Sequence, residues 1–153
     1  MQNRISVAAA IIFRNDLRFL IGRKKRGLSH EGLWEFPGGK CEPFEAPSEA
    51  VVREIREELF ITVRINHDGF YSYPFEYPEK NLLVEFHFFI AAALTTACTL
   101  KDHDQIAWVN PEDVRDYKLL PGDVPAMEYL MKNIQSAYSL ATSLHLHSVI
   151  NNG

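Results

Sequence analysis

The chain has 153 residues, 46% of them hydrophobic, which suits one domain with a proper core. A net charge of −4 argues against a broad nucleic-acid-binding surface, so a protein of this balance that handles phosphates needs a metal and a few local bases. No apolar run reaches about 18 residues and the start, MQNRISVAAAIIFRND, lacks signal-peptide character, so a cytoplasmic protein without membrane attachment is expected.

In chain order, residues 6–13 are β-rich and apolar and predict a buried strand, with a turn at Asn15-Asp16 and a second strand over 18–23. A basic loop, KKRGLSHEG, leads to a short segment over 33–36. Pro37-Gly38-Gly39 cannot continue a regular element, and it permits close backbone approach to a ligand. Pro47-Ser48 then opens a helix over 48–59, with proline tolerated near its first turn. Strand pieces follow over 61–65 and 69–73, and the proline- and tyrosine-rich stretch 71–81 reads as a loop or hairpin end. The longest apolar run, 82–92, predicts a central strand. Residues 106–109 give one more strand and 111–116 a short helical turn. Met127, Leu130, Met131 and Ile134 form a helical stripe over 124–136. From residue 137 onward the pattern fades, and a flexible or partner-bound tail is expected. His145 and His147 lack helical metal-pair spacing and read as surface residues. Cys41 and Cys98 have no paired spacing and read as ordinary thiols.

The chemistry concentrates in residues 39–61, GKCEPFEAPSEAVVREIREELFI. Glu54, Glu57 and Glu58 fall at i, i+3 and i+4 of the predicted helix and so share one face. Like charges in that arrangement repel by up to roughly 0.5 kcal/mol per pair. Hard oxygen donors gathered against their own repulsion make sense around a divalent cation. The plainer alternative is a solvated helix face whose glutamates pair with Arg53 and Arg56.

This segment resembles the Nudix box, G-x5-E-x7-R-E-U-x-E-E-x-G-U with U aliphatic. Gly39, Glu45, Arg53, Glu54, Ile55, Glu57, Glu58 and Ile61 match at the required spacing, and Phe60 stands where the family has glycine. Glycine there supplies a left-handed helix end, so Phe60 is expected to bend the chain differently and bury its ring. The resemblance implies an α/β/α sandwich with a mixed sheet over residues 1–137 and a C-terminal tail over 138–153. It implies hydrolysis of a nucleoside diphosphate linked to another group, with Mg²⁺ as cofactor and Mn²⁺ as a substitute. Carried over residue by residue, Glu57 and Glu58 are the primary metal ligands, joined by the Gly39 carbonyl. Glu54 contacts a metal through water or takes the proton of the nucleophile. Arg53 and Glu45 form a supporting ion pair, although a glutamate at Glu45 also suits the helix dipole without any such role.

Outside the box, GLWEFPGGK at 32–40, DHDQIAW at 102–108 and LLPGDVP at 119–125 resemble elements of the MutT-like and CTP pyrophosphohydrolase branch, in the same order. The third element reads L-x-P-A-[DN]-x-P in that branch. The branch cleaves nucleoside triphosphates to monophosphate and pyrophosphate, which implies clearance of oxidised or modified nucleotides such as 8-oxo-dGTP or CTP derivatives. Asp102 then adds a metal or water contact from a loop, and Asp123 reads the base as a hydrogen-bond acceptor; a loop aspartate and a turn-forming Gly-Asp are the alternatives. Phe36 is a candidate to stack on the base, or a core residue. Arg23, Lys24 and Lys80 are candidate phosphate contacts, or surface bases. Glu85 alternates with His87 along the central strand and is a candidate pocket carboxylate. The partner is a small nucleotide, with no nucleic acid and no membrane, bound by a monomer or homodimer. Two rivals remain: an ADP-ribose, nucleotide-sugar or dinucleoside polyphosphate hydrolase, and a Nudix-fold sensor without catalysis.

Overall fold

A computed structural model describes the backbone of residues 1–151 and the side chains of residues 1–146. Among these, eight strands form one mixed sheet: β1 Asn3–Phe13, β2 Phe19–Lys24, β3 Trp34–Glu35, β4 Gly38–Lys40, β5 Val63–Ile65, β6 Tyr71–Tyr77, β7 Leu82–Ala93 and β8 His103–Val109. The path runs β3-β2-β1-β7-β5, with β4 added to β1, β6 to β7 and β8 to β2. β1 and β7 are parallel from Asn3 opposite Leu82 to Phe13 opposite Ala92. They read as near-continuous apolar runs because both of their faces are covered.

The period of two in β1 explains the two cores. Ala8, Ala10 and Ile12 meet Ala50, Val51, Ile55 and Leu59 of helix α1, Pro47–Leu59. Ala9, Ile11 and Phe13 join the opposite core with Met127 and Leu130 of α2, Val124–Lys132, and Ala137 and Ala141 of α3, Ile134–Asn151. The result is the expected α/β/α sandwich. Burying Ile55 and Leu59 contributes roughly 1.5–3 kcal/mol each, enough to outweigh the repulsion among the glutamates on the other face of α1. Its N-terminus is helped by Glu49, whose carboxylate accepts the Ala46 N–H at 3.2 Å; Ala46 has no side-chain oxygen to reciprocate.

Five local expectations are corrected. Gly38–Lys40 does continue a regular element, pairing with Val7–Ala9 as β4. A Cβ at Gly38 would come within 2.2 Å of the Ala8 carbonyl oxygen, so the absent side chain is what lets the strand dock. Residues 71–77 are strand rather than loop; Pro74 is tolerated because β6 pairs only with β7 and lies at an edge. The helix expected over 124–136 is broken at Asn133, whose amide side chain donates to the Tyr129 carbonyl at 2.9 Å. The expected tail instead continues α3 to Asn151, with Ala137 and Ala141 fully buried. Small alanines four apart are a weak apolar signal, which is why the sequence pattern faded there. His145 is half-buried rather than free on the surface, its Nδ1–H donating to the Ala141 carbonyl at 3.0 Å. The side chain of His147 and residues 152–153 lie outside the described part.

The end of α1 overturns the reading of Phe60. Its φ of 58° and ψ of 30° are the left-handed values glycine normally supplies, and its N–H donates to the Arg56 carbonyl. The ring is 63% exposed rather than buried, so nothing in the core offsets the strain. A side chain in this conformation costs about 1 kcal/mol. Phe60→Gly is therefore expected to raise the melting temperature by about 2–4 °C. Thermal denaturation checks this, and an unchanged or lowered melting point would show that the exposed ring makes a stabilising contact.

Candidate active site

The glycine loop and the acidic helix meet through one cation. β4 brings Gly39 opposite Ala8, against the glutamate face of α1. A Cβ on Gly39 would lie 2.4 Å from the carboxyl carbon of Glu54, so this close approach requires glycine. Arg53 then spends its guanidinium on both elements. Its Nε donates to Glu45 Oε2 at 2.7 Å and its Nη2 to Glu45 Oε1 at 2.8 Å, a bidentate pair. Nη2 also reaches the Lys40 carbonyl at 3.2 Å, while Nη1 donates to Glu54 at 2.9 Å and Glu57 at 3.2 Å. The Arg53 hydrogen bond, with help from the Glu42 N–H, holds the Glu45 carboxyl down to about 2.

Glu58 is the exception in this cluster. One of its carboxylate oxygens is buried without a hydrogen-bond partner. Burial pushes its carboxyl up to about 9, with the negative charges of Glu35, Glu54 and Asp102 adding to the effect. Among the described residues no three acid, histidine or cysteine side chains converge tightly enough to hold an ion as they stand. The donor chemistry nevertheless fits a hard divalent cation: three carboxylates on one helix face, one with an unmet buried oxygen, beside a loop with no side chain in the way.

Glu58 and Gly39 line a cavity of about 340 Å³, and Asp123, Phe36, Lys24 and Lys80 line it too. Asp123 arrives on a 3₁₀ turn, Pro121–Asp123, positioned by backbone bonds from Trp34 N–H to the Lys118 carbonyl and from Leu120 N–H to the Trp34 carbonyl. Its carboxyl is 5% exposed and accepts the Phe36 N–H at 2.9 Å. Burial, with the nearby Glu35 charge, raises it well above the usual carboxylate range. The Phe36 ring packs edge-on to Phe88 at 5.6 Å and near Phe19 at 6.2 Å. It therefore acts as core at the cavity wall, and its backbone N–H is the polar contribution.

Arg23, Glu85 and Asp102 are not brought into the cavity, and neither Glu54 nor Glu57 lines it. Arg23 pairs with Asp104 at 2.7 Å and lies over the Trp34 ring. Strand alternation puts Arg23 and Lys24 on opposite faces of β2, and it is Lys24 that lines the cavity. Glu85 is exposed on the far side of β7, because Val84 and Phe86 take the cavity-facing positions. Asp102 does not line the cavity, although its charge is felt by Glu58.

The sequence reading missed Glu35, which lines the cavity, accepts a hydrogen bond from buried His103 Nε2 at 3.2 Å and lies 3.8 Å from Lys24. A lone glutamate between Trp34 and Phe36 was a usable signal. His30 and Tyr77 also line the cavity. Reading 71–81 as a loop had removed the strand alternation that points Tyr77 inward.

Comparison with known proteins agrees with this geometry. The NUDIX domain family model matches residues 3–133. The CTP pyrophosphohydrolase of Escherichia coli (strain K12) is 34% identical over 127 residues, covering 83% of this chain and 91% of that protein. An 8-oxo-dGTP diphosphatase from Buchnera aphidicola subsp. Acyrthosiphon pisum (strain APS) is 30% identical over 137 residues, covering 86% and 89%. The crystal structure of a MutT protein from Methanosarcina mazei Go1 superposes with a TM-score of 0.74 at 27% identity, over 86% of this chain and 96% of that one. With a family model spanning most of the chain and a carboxylate helix facing a glycine loop, this chain belongs to the Nudix hydrolase family.

Proposed function

We propose that this chain is a divalent-metal-dependent nucleoside triphosphate pyrophosphohydrolase that releases a nucleoside monophosphate and pyrophosphate. One observation carries the reading: a single cavity is lined by the box residues Gly39 and Glu58 and also by the buried carboxyl of Asp123, with Lys24 and Lys80 on the same wall. The first pair suits a metal-bound phosphate chain, the lysines suit its remaining charge, and Asp123 suits the polar edge of a base. The names of the two relatives, a CTP pyrophosphohydrolase and an 8-oxo-dGTP diphosphatase, support the same class. Among the described residues no helix is long and apolar enough to cross a membrane.

In this reading Glu54, Glu57, Glu58 and the Gly39 carbonyl hold Mg²⁺, with Mn²⁺ as a substitute and Asp102 contributing from its loop. The bound ion would neutralise phosphoryl oxygens and lower the pKa of a bound water. The chain's own residues do the rest. Arg53 fixes Glu54 and Glu57 and ties them to Glu45, so the carboxylates are oriented before substrate arrives. Glu54 is the candidate to take the proton of the attacking water, being half-buried against Gly39. Lys24 and Lys80 meet the phosphates as point charges, and Asp123 holds the base. ADP-ribose, nucleotide-sugar and dinucleoside polyphosphate substrates remain rivals to be separated by assay.

The test is pyrophosphate release from a panel of nucleotides, 8-oxo-dGTP and CTP included, with Mg²⁺ and with excess chelator. Release from triphosphates only when Mg²⁺ is present supports the reading; turnover of sugar nucleotides alone, or binding without turnover, sinks it. Glu57→Gln is expected to lower kcat on the order of 10²–10³-fold while leaving the melting point unchanged, because Glu57 is exposed. Full activity in that variant would remove Glu57 from the metal site.

Metal-free stability should also carry the signature of Glu58. Its folded carboxyl is raised to about 9 from an ordinary value of 4.5, so the proton it keeps stabilises the fold fully below about pH 4.5. That contribution is lost as pH rises toward 9. Glu45, held near 2, acts in the opposite sense and only below about pH 4.5, outside this window. In chelator, melting temperature is expected to fall between about pH 5 and about pH 9, and Glu58→Gln to flatten the slope. An equally steep slope in that variant would place the titrating group elsewhere.

A further inference from the structure

The cavity wall contains a feature that the box and the Asp123 turn do not account for. Along β6, Tyr73, Phe75 and Tyr77 turn toward the protein while Ser72, Pro74 and Glu76 are exposed, and Tyr77 is the buried one that reaches the cavity. Its ring sits between His30, 6.0 Å away between centroids, and Lys80, whose Nζ lies 5.8 Å from the ring centre. Its hydroxyl ends against Gly122, the residue before Asp123. A Cβ on Gly122 would lie 2.6 Å from that hydroxyl oxygen and 2.9 Å from Phe86. The branch that this chain resembles has alanine at this position, in L-x-P-A-[DN]-x-P. Here the methyl is gone and a phenol occupies the space.

We propose that Tyr77 is a specificity-determining residue, whose hydroxyl donates to an acceptor on the base of a bound nucleotide next to the base N–H taken by Asp123. The assignment rests on the nucleotide reading of the cavity. Tyr73 cannot play this part, because its hydroxyl already donates to the Gly122 carbonyl. Burial and the neighbouring Asp123 raise the Tyr77 phenol, so it keeps its proton and acts as a donor. Gly122 is the positioning partner: it leaves room for the phenol, and its backbone hydrogen bond holds the phenol oxygen while the hydroxyl proton stays free to be donated. A donor beside a carboxyl forms a two-point contact with a base edge that presents an acceptor next to an N–H, and a bare phosphate chain offers no such edge.

The experiment compares wild type, Tyr77→Phe, Gly122→Ala and the double variant on the preferred nucleoside triphosphate and on ribose 5-triphosphate, which keeps the phosphates and lacks the base. Tyr77→Phe is expected to raise KM for the nucleotide about 10-fold, the loss of one neutral hydrogen bond, with kcat within about twofold. Ribose 5-triphosphate, followed as substrate or as competitor, should be bound equally by both proteins. Gly122→Ala should weaken nucleotide binding in wild type by pushing the phenol aside, and add little once the hydroxyl has been removed. Melting curves show whether each variant folds. An unchanged KM in Tyr77→Phe, or equal losses on the nucleotide and the base-free compound, overturns the assignment of Tyr77 alone. Failure of wild type to bind or cleave any nucleoside triphosphate overturns the functional reading beneath it.

Discussion

The guanidinium of Arg53 is the interaction on which the site depends. It is only partly exposed and serves four acceptors at once: Glu45, the Lys40 carbonyl, Glu54 and Glu57. One of these belongs to β4, one to the loop after it and two to α1, so the ion pair joins elements that the sheet and the helix core bring near each other but do not align. A planar fork suits that task, since it fixes direction as well as charge; an ammonium would supply the charge without the geometry. The same contacts explain why three like-charged residues tolerate one helix face. Arg53 offsets Glu54 and Glu57, and the apolar face of α1 supplies the remaining stability through Ala50, Val51, Ile55 and Leu59.

Glu58 lies outside that arrangement, and the difference is informative. Arg53 makes no bond to it, one oxygen is buried and unmet, and surrounding carboxyls oppose its ionisation. Asp123 is a second buried acid on the same cavity, again raised by burial and by Glu35. These two buried acids of one cavity stand in different surroundings. Glu58 stands with the other box carboxylates, where a cation would favour its ionised form. Asp123 has the Phe36 N–H on one oxygen and cavity space beyond, where a neutral ligand edge suffices. Environment thus separates two carboxyls of the same intrinsic chemistry, one grouped with the box carboxylates and one held by a backbone N–H at the cavity.

Much of this was legible in the sequence because it is periodic or local. The apolar runs of β1 and β7 and the 3.6-residue spacing of Glu54, Glu57 and Glu58 follow from backbone geometry, and they put the helix, the central strands and the box where they are found. What stayed hidden depends on contacts between distant segments. Arg23 and Lys24 are adjacent bases that alternation puts on opposite faces, and only the packing around β2 decides which face meets the cavity. Glu85 looked like a pocket carboxylate because alternation says which residues share a face, not which face meets the cavity. α3 was missed because Ala137 and Ala141 bury well while carrying little apolar signal.

The two places where this chain departs from its family's pattern show how differently a glycine position can be used. At Phe60 the family glycine is replaced, yet the backbone keeps the glycine conformation and leaves the ring in solvent. The helix end is therefore imposed by what surrounds it, by Arg56 on one side and the buried Ile61 on the other, and the side chain bears the strain. At Gly122 the exchange runs the other way: a side chain is lost, and the vacated volume is filled from β6 by Tyr77. The first change leaves the cavity untouched, since Phe60 does not line it. The second alters the wall beside Asp123, which is where discrimination between bases must arise if the box only handles phosphates.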